Sequence, residues 1–227
     1  MTIAACLAEV RDRIERAARA AGRDASLVKL VAVSKTKGPE AVREAYAAGQ
    51  RAFGENYAQE LATKAEALAD LPDVEWHFIG HLQTNKARVA AKHAHVVHTV
   101  DSGALARELG RRAAREGRAV PLPVLIEVNV GGEAQKAGAA PSEIEEVMRA
   151  VEAEASLALR GLMTMPPIDD LAAARGVFET LASLRNLHGG TAVLPDLSMG
   201  MTADLEVAVA CGATLVRVGT AIFGARA

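Results

Sequence analysis

Short apolar runs alternate with alanine-rich stretches of helical periodicity along the whole chain. The apolar runs are those at 29–35, 51–55, 76–80, 96–101, 123–130, 159–165, 196–200 and 214–219. The helical patterns are those at 39–48, 57–70, 82–93, 102–116, 141–155, 169–186 and 203–211. Strands that alternate with helices indicate βαβ units and a parallel sheet. Eight such strands predict an α/β fold, a (β/α)8 TIM-type barrel, for which about 250 residues are typical.

An extra helix is predicted before the first strand. Its signal is a set of apolar residues at helical spacing, namely Ile3, Leu7, Val10 and Ile14. Ser102 and Thr202 are predicted N-caps of two later helices. The alternative to a barrel is an open, doubly wound sheet. That fold normally has fewer strands or a glycine-rich first turn, and the chain has no GxGxxG motif.

Polar side chains recur near the ends of three predicted strands. They are Lys35 in the first strand, Glu127 in the fifth, and Arg217 beside Gly219 in the eighth. Side chains alternate across a strand, and the outer face of a barrel strand packs on helices. These polar groups are therefore predicted to point inward, at the C-terminal mouth where barrel active sites lie.

Composition and charge narrow the classes of function. A net charge of −2 and an aromatic content of 3% argue against a nucleic-acid surface. No apolar run approaches the ~20 residues that span a bilayer, and the first residues lack the order of a signal peptide. Cys6 and Cys211 show no metal-ligand spacing, which suits a reduced compartment. We expect a cytoplasmic protein with no nucleic-acid or membrane partner.

The loops after the last two predicted strands have the character of an anion site. Barrel closure sets the eighth strand beside the first, and barrels often bind phosphate in the loops after strands seven and eight. Gly219 and Thr220 can expose backbone amides and start a short helix. Strand seven offers Ser198, Gly200 and Thr202 to the same anion.

Lys35 gives this anion site a chemical meaning. A lone lysine at a strand end is normally a solvated rim residue. Beside a phosphate site, however, a lysine amine could reach an aldehyde on a ring attached to that phosphate. Desolvation favours the neutral amine, which is the form that makes Schiff bases. Pyridoxal 5′-phosphate (PLP) combines the aldehyde, the ring and the phosphate.

Several stretches together carry a resemblance to a known family. They are LVAVSKTK, FGENYAQE, WHFIGHLQTNK, VNVGGEAQKAG, LRGLMTM, LSMGMTADLEVAVACGAT and VRVGTAIFGAR. The chain resembles the pyridoxal phosphate homeostasis proteins, single-domain relatives of the alanine racemase barrel. The resemblance implies one PLP-binding, alanine-racemase-like domain over 1–227. It also implies a monomeric, non-catalytic carrier and regulator of intracellular PLP, with PLP-dependent apoenzymes as candidate recipients.

The resemblance further assigns roles to positions. Lys35 would form the Schiff base with PLP, and Arg217 would face the pyridine nitrogen. The remaining cofactor contacts would come from Asn56 and from the phosphate-holding residues Ser198, Gly219 and Thr220. Glu127 departs from the family pattern, which more often has glutamine there, so this wall of the pocket gains a negative charge.

Arg217 has consequences for chemistry. A guanidinium can only donate hydrogen bonds, so opposite the ring nitrogen it would favour the unprotonated pyridine, a weaker electron sink. The alternative is an ion pair between Arg217 and Glu127.

Two enzyme functions remain as alternatives. A PLP-dependent amino-acid racemase needs acid–base groups on both faces of the substrate. In the racemase relatives one of these comes from a second domain, whereas this chain, ending three residues after Gly224, is expected to carry the barrel alone. The second alternative is a Schiff-base aldolase without a cofactor.

The histidines do not predict a metal site. His93, His95 and His98 cluster, and His77 and His81 are four apart, but no accompanying Cys or carboxylate pattern is present. The second pair straddles a strand end, so it lacks the helical geometry of HExxH. We interpret these histidines as partly exposed.

Overall fold

The computed structural model describes residues 1–133, 136–167 and 170–224. Within these ranges, parallel strands close into an eight-stranded barrel. The strands are β1 Lys29–Val33, β2 Ala52–Glu55, β3 Glu75–Phe78, β4 Val96–Val100, β5 Leu122–Glu127, β6 Leu157–Met163, β7 Asp196–Ser198 and β8 Leu215–Val218. Because β8 pairs in parallel with β1, the predicted (β/α)8 barrel is confirmed and the open sheet is wrong.

Helices follow the strands in the predicted alternation. They are α1 Ile3–Ala20, α2 Pro39–Ala47, α3 Ala58–Ala67, α4 Ala87–His93, α5 Gly103–Arg115, α6 Ile144–Glu152, α7 Leu171–Leu187, α8 Gly190–Val193, α9 Leu205–Ala210 and α10 Thr220–Phe223. The extra helix α1 is confirmed, and it buries Leu7, Val10 and Ile14. Residue 169 of one predicted helix, and residues 134–135 and 225–226 of two family-like stretches, lie outside the described residues.

The two predicted N-caps have different outcomes. Ser102 caps α5, since its hydroxyl accepts a hydrogen bond from the Leu105 amide at 3.3 Å. The prediction for Thr202 is wrong, because residues 202–204 form a turn and α9 begins only at Leu205. The Asp204 carboxylate holds this turn by accepting from the Met201 amide.

The apolar core has two parts. The larger part lies between the strands and the surrounding helices. The smaller part lies inside the barrel and consists of Val31, Ala52, Val96, Leu125, Met163 and Leu215. By alternation, Glu127 and Arg217 share these inward faces. Their exposures of 7% and 3% confirm that the polar strand ends point inward.

The described residues were also compared with the requirements of a membrane span, a disulfide and a metal site. Within them, no helix is both long and apolar enough to cross a bilayer. Cys6 and Cys211 are free thiols. No group of His, Cys, Asp and Glu side chains in the described ranges is arranged to hold a metal ion.

Candidate functional site

A cavity of about 250 Å³ opens at the C-terminal mouth of the barrel. Of the residues named from the sequence, those lining it are Lys35, Asn56, Thr202, Arg217, Gly219 and Thr220. A larger cavity of about 800 Å³ lies at the opposite, N-terminal mouth. We take the smaller cavity as the candidate site, because barrel enzymes place their chemistry at the C-terminal face and several polar groups converge there.

Lys35 projects from a tight turn that follows β1. The turn is closed by a hydrogen bond from the Lys37 amide to the Ser34 carbonyl at 3.0 Å. Thr36 has a φ of 66°, a left-handed conformation that a β-branched residue adopts only under strain. The Glu60 carboxylate holds it there by accepting from the Thr36 amide at 2.7 Å. This strained turn fixes the direction in which the half-buried Lys35 leaves the barrel.

A buried polar cluster supports this turn from the helix side. Glu55 accepts hydrogen bonds from the Ser34 hydroxyl at 2.6 Å and from Lys64 Nζ at 2.7 Å. Lys64, with a side-chain exposure of 5%, also donates to the Ser34 carbonyl. The expectation that outer strand faces are apolar is therefore wrong here, because Lys64 of α3 supplies a cation that makes the Glu55 carboxylate tolerable between strand and helix. Burial raises the pKa of Glu55, and Lys64 opposes that rise.

Gly219 allows the last strand to approach the first closely. A Cβ atom at this position would lie 3.1 Å from the Val33 carbonyl oxygen. The chain then enters α10, as expected, and the first helical hydrogen bonds come from Ile222 and Phe223 to the Gly219 carbonyl. The amides of Thr220 and Ala221 come before those donors in the helix, so they have no acceptor within it and point out of its N-terminal end.

Asn56 offers the cavity an unused acceptor. It follows β2 and lines the cavity. Its Oδ1 is buried, and none of the described groups hydrogen-bonds to it. A buried oxygen without a donor costs stability, so a ligand that donates to Asn56 would remove that cost.

Arg217 lies on the cavity floor and is held by neutral acceptors. It donates to Ser198 Oγ at 2.6 Å and to the Thr164 carbonyl at 3.0 Å, and it contacts Met165 Sδ. Among the described residues no carboxylate ion-pairs with it directly, so the alternative of an Arg217–Glu127 pair is not observed. Burial lowers the pKa of Arg217 to about 10, while the charge of Glu127 acts in the opposite direction.

Glu127 is a buried acid that forms no ion pair with any described cation. Its Oε2 is buried, and no described donor bonds to it. Burial, together with the nearby charge of Asp101, raises the pKa of Glu127 to about 7, although Arg217 acts to lower it. This group therefore titrates near neutral pH, and the expected extra negative charge is only partly present there.

Ser198 occupies a different place from the other predicted phosphate contacts. Its side chain is fully buried beneath the cavity, where the hydroxyl joins Arg217 to His98 Nδ1, 2.8 Å away. It does not belong to the cavity lining, whereas Thr202, another hydroxyl considered for the anion, does. A phosphate role for Ser198 remains a prediction from the sequence.

Two histidines inside the barrel were missed. His77 and His98 are 1% and 0% exposed, so interpreting them as partly exposed is wrong. His98 Nε2 lies 2.8 Å from His77 Nδ1, and His77 Nε2 lies 3.3 Å from Glu75 Oε1. Their positions on inward strand faces, two residues from Glu75 and Val96, were the available signal.

Comparisons with known proteins identify the barrel. The family model of the alanine racemase N-terminal domain matches residues 6–227. A pyridoxal phosphate homeostasis protein of Pseudomonas aeruginosa is 50% identical over 227 residues, 99% of this chain and 96% of the relative.

Solved structures agree with the sequence comparison. The structure of PipY from Synechococcus elongatus with PLP bound is 38% identical, with a TM-score of 0.83, and covers 98% of this chain and all of PipY. Alanine racemase from E. faecalis shares the fold at 16% identity and a TM-score of 0.66, with 99% of this chain matching 59% of the racemase. The chain belongs to the family of the pyridoxal phosphate homeostasis proteins, which is built on the barrel of the alanine racemase N-terminal domain.

Proposed function

We propose that this chain binds PLP in the C-terminal cavity and acts in the cytoplasm as a carrier and regulator of that cofactor. The observation that carries the proposal is the convergence of Lys35, Arg217 and the unsatisfied Asn56 oxygen on one cavity. A relative that is 38% identical along nearly the whole chain has been solved with PLP bound. The residues present therefore suit this cofactor.

Lys35 is proposed to hold the cofactor covalently. Its amine condenses with the aldehyde to give a Schiff base, and one water molecule leaves. The strained turn and the Glu60 carboxylate preset the direction of the side chain, which reduces the conformational entropy lost on attachment.

The phosphate is proposed to lie at the end of β8. Gly219 avoids a Cβ that would press on Val33, and Thr220 and Thr202 line the same cavity. Backbone amides and hydroxyls that face a dianion make charge-assisted hydrogen bonds of about 1.5–3 kcal/mol each. Ser198 is proposed to contribute through its hydrogen bond with Arg217.

The proposed role is transport, with no catalytic residues. The cofactor supplies carbanion stabilisation when bound, but Arg217 remains protonated at neutral pH and can only donate to the ring. Of the described residues lining the cavity, only Lys35 and Arg217 titrate. Tyr57 is 51% exposed and lies outside the lining, and Tyr46 bonds to Asp73 instead. A racemase would need a second acid–base group facing the first.

Reconstitution with PLP tests this proposal. After removal of excess cofactor, the wild type should retain a visible absorption band, and borohydride reduction should fix the label on Lys35. Lys35→Ala should lose the band and keep the fold, whereas Lys37→Ala, in the same turn, should retain it. A label found mainly on another lysine would contradict the assignment.

Two further assays separate the carrier from the enzymes. A cofactor-free aldolase would show no visible band. Exchange of the α-proton of alanine in deuterated water should be little faster than with free PLP, and lysine-dependent exchange at about 1–10³ per second would instead indicate a racemase. Transfer to a PLP-dependent apoenzyme, together with a monomer mass by light scattering, tests the proposed partner and oligomeric state.

A further inference from the structure

A line of polar side chains crosses the interior of the barrel. It begins at Arg217 below the C-terminal cavity and passes through Ser198, His98 and His77 to Glu75. Glu75 accepts from Lys29 at 2.8 Å, and both residues line the N-terminal cavity. Apart from Glu127, the described side chains that surround this line inside the barrel are mainly apolar, and the line connects the two mouths.

The charged Arg217 end fixes the direction of the hydrogen bonds that follow it along the line. Arg217 can only donate, so Ser198 Oγ accepts from it and its own hydrogen is available to His98 Nδ1. His98 then carries its proton on Nε2 and donates to His77 Nδ1. Because its Nδ1 accepts, a neutral His77 carries its proton on Nε2, which lies 3.3 Å from Glu75 Oε1 in an ionic contact without hydrogen-bond geometry. Both rings are thus neutral and share one tautomer.

The local electrostatics agree with neutral rings. Burial lowers the pKa of His98 well below its ordinary value, and the neighbouring His77 and Arg217 add to that effect. Burial also lowers the pKa of His77, against the influence of Glu75. The contact with His77 and the ion pair with Lys29 outweigh burial and keep Glu75 ionised. The chain therefore has a fixed anion at one end and a fixed cation at the other.

A line of buried polar side chains stabilises the fold less than apolar packing would, because each polar group loses its contacts with water. Buried polar groups must all be satisfied, and apolar residues of similar volume usually fill a barrel interior at no loss of stability. What the chain does provide is a stationary acceptor for Arg217, whose guanidinium has no direct carboxylate partner in the described structure. Hydrogen bonds of this kind orient the groups that contact a ligand.

We propose that Ser198, His98, His77 and Glu75 form a positioning chain that fixes how Arg217 presents its donors to the cofactor. This inference rests on the proposed PLP function, but the positioning chain itself is testable without a cofactor. Loss of a link frees Arg217 to turn, so binding of the ring should weaken whether or not the ligand carries a phosphate. None of the four positioning residues needs to touch the cofactor.

The first experiment determines the tautomers in the full-length protein without cofactor. Long-range ¹H–¹⁵N correlation spectra at pH 7 should show His77 and His98 neutral, with the proton on Nε2 in each ring. His81, which is exposed, serves as the internal reference for a solvated histidine. A charged ring, or a proton on Nδ1 of either residue, would contradict the proposed positioning chain.

The second experiment follows the effect on Arg217. Ser198→Ala should abolish the slowly exchanging guanidinium signal of Arg217 and weaken PLP and phosphate-free pyridoxal by a similar factor, about tenfold, the scale of one hydrogen bond to a charged group. Weakening of PLP alone would make Ser198 a phosphate ligand and overturn the proposal. An unchanged guanidinium signal would also overturn it.

The far end of the chain supplies the strictest comparison. Glu75→Gln removes the charge that orients His77 and should weaken PLP binding by several-fold. Asp196→Asn removes the same charge at the same mouth, at similar exposure, but outside the chain, and should leave affinity unchanged. Equal effects of the two substitutions would indicate only a general field and overturn the positioning role. If the wild type binds no PLP, the proposed function fails, while the tautomers and the Arg217 signal still decide whether the chain exists.

Discussion

Replacing Glu127 with glutamine should change how the stability of the protein depends on pH. The carboxyl is 7% exposed, and its buried Oε2 has no donor among the described groups. Its pKa is raised from an ordinary value of 4.5 to about 7, mainly by burial. Glutamine has nearly the same shape and no ionisation, so the substitution removes the titration and leaves the packing in place.

The sign and size of the effect follow from proton linkage. Between pH 4.5 and about 7 the folded protein holds the Glu127 proton while the unfolded chain has released it. The free energy of unfolding therefore falls as pH rises through this range. At about 1.4 kcal/mol for each tenfold change in the ionisation constant, the full loss is about 3 kcal/mol. At pH 4.5, Glu127→Gln should therefore have nearly the same free energy of unfolding as the wild type. At pH 8 its free energy of unfolding should be higher by up to about 3 kcal/mol.

Urea denaturation at several pH values between 4.5 and 8 measures this difference. The quantity to compare is the gap in unfolding free energy between the variant and the wild type at each pH, because other titrating groups then cancel. Glu152→Gln, at an exposed position in α6, should give a gap that stays flat. A flat gap for Glu127→Gln as well would show that Glu127 ionises normally, and would refute the reasoning from its burial.

Two further substitutions test the packing around the site. Lys64→Met leaves Glu55 buried without its cation and should lower the free energy of unfolding in urea by about 3–5 kcal/mol. Adding Glu55→Gln should recover part of that loss. Equal stability of the single and double variants would contradict the pairing. Thr99→Val removes a buried hydroxyl that bonds to no described group and should raise the unfolding free energy by about 1 kcal/mol, measured by the same titration, whereas a decrease would reveal a partner for that hydroxyl.

The sequence was sufficient for the barrel and for the inward direction of its polar residues. Period-two alternation decides the face of a strand, so placing Arg217 and Glu127 inside required only the assumption that helices cover the outer face. Strand ends were less certain, and the first predicted strand ran two residues past Val33 because Ser34 and Lys35 continue its alternation. The strained turn that ends it depends on Glu60, 24 residues away from Thr36.

Contacts between distant residues explain what the sequence could not provide. The phosphate role of Ser198 stays a prediction from its loop and from the family resemblance, but no local pattern indicated that its hydroxyl contacts Arg217 and a histidine 100 residues earlier. Lys64 belongs to a helix of ordinary amphipathic character, and nothing local distinguishes it from a solvated lysine. Which buried groups pair across a barrel depends on register and closure, and these follow from the whole chain.

Two networks of buried polar groups, one outside and one inside the barrel, both hold residues of the cavity in place. On the helix side, Lys64 and Glu55 hold the turn that carries Lys35; inside the barrel, Ser198 and the histidines hold Arg217. Paired buried charges rarely add stability over apolar side chains of equal volume, so stability alone does not account for either set. Both sets constrain residues that line the cavity, whereas Thr99, whose buried hydroxyl lacks a described partner, does not line it. Stabilising substitutions should therefore be found away from these two networks, and substitutions within them should loosen cofactor binding even where the fold tolerates them.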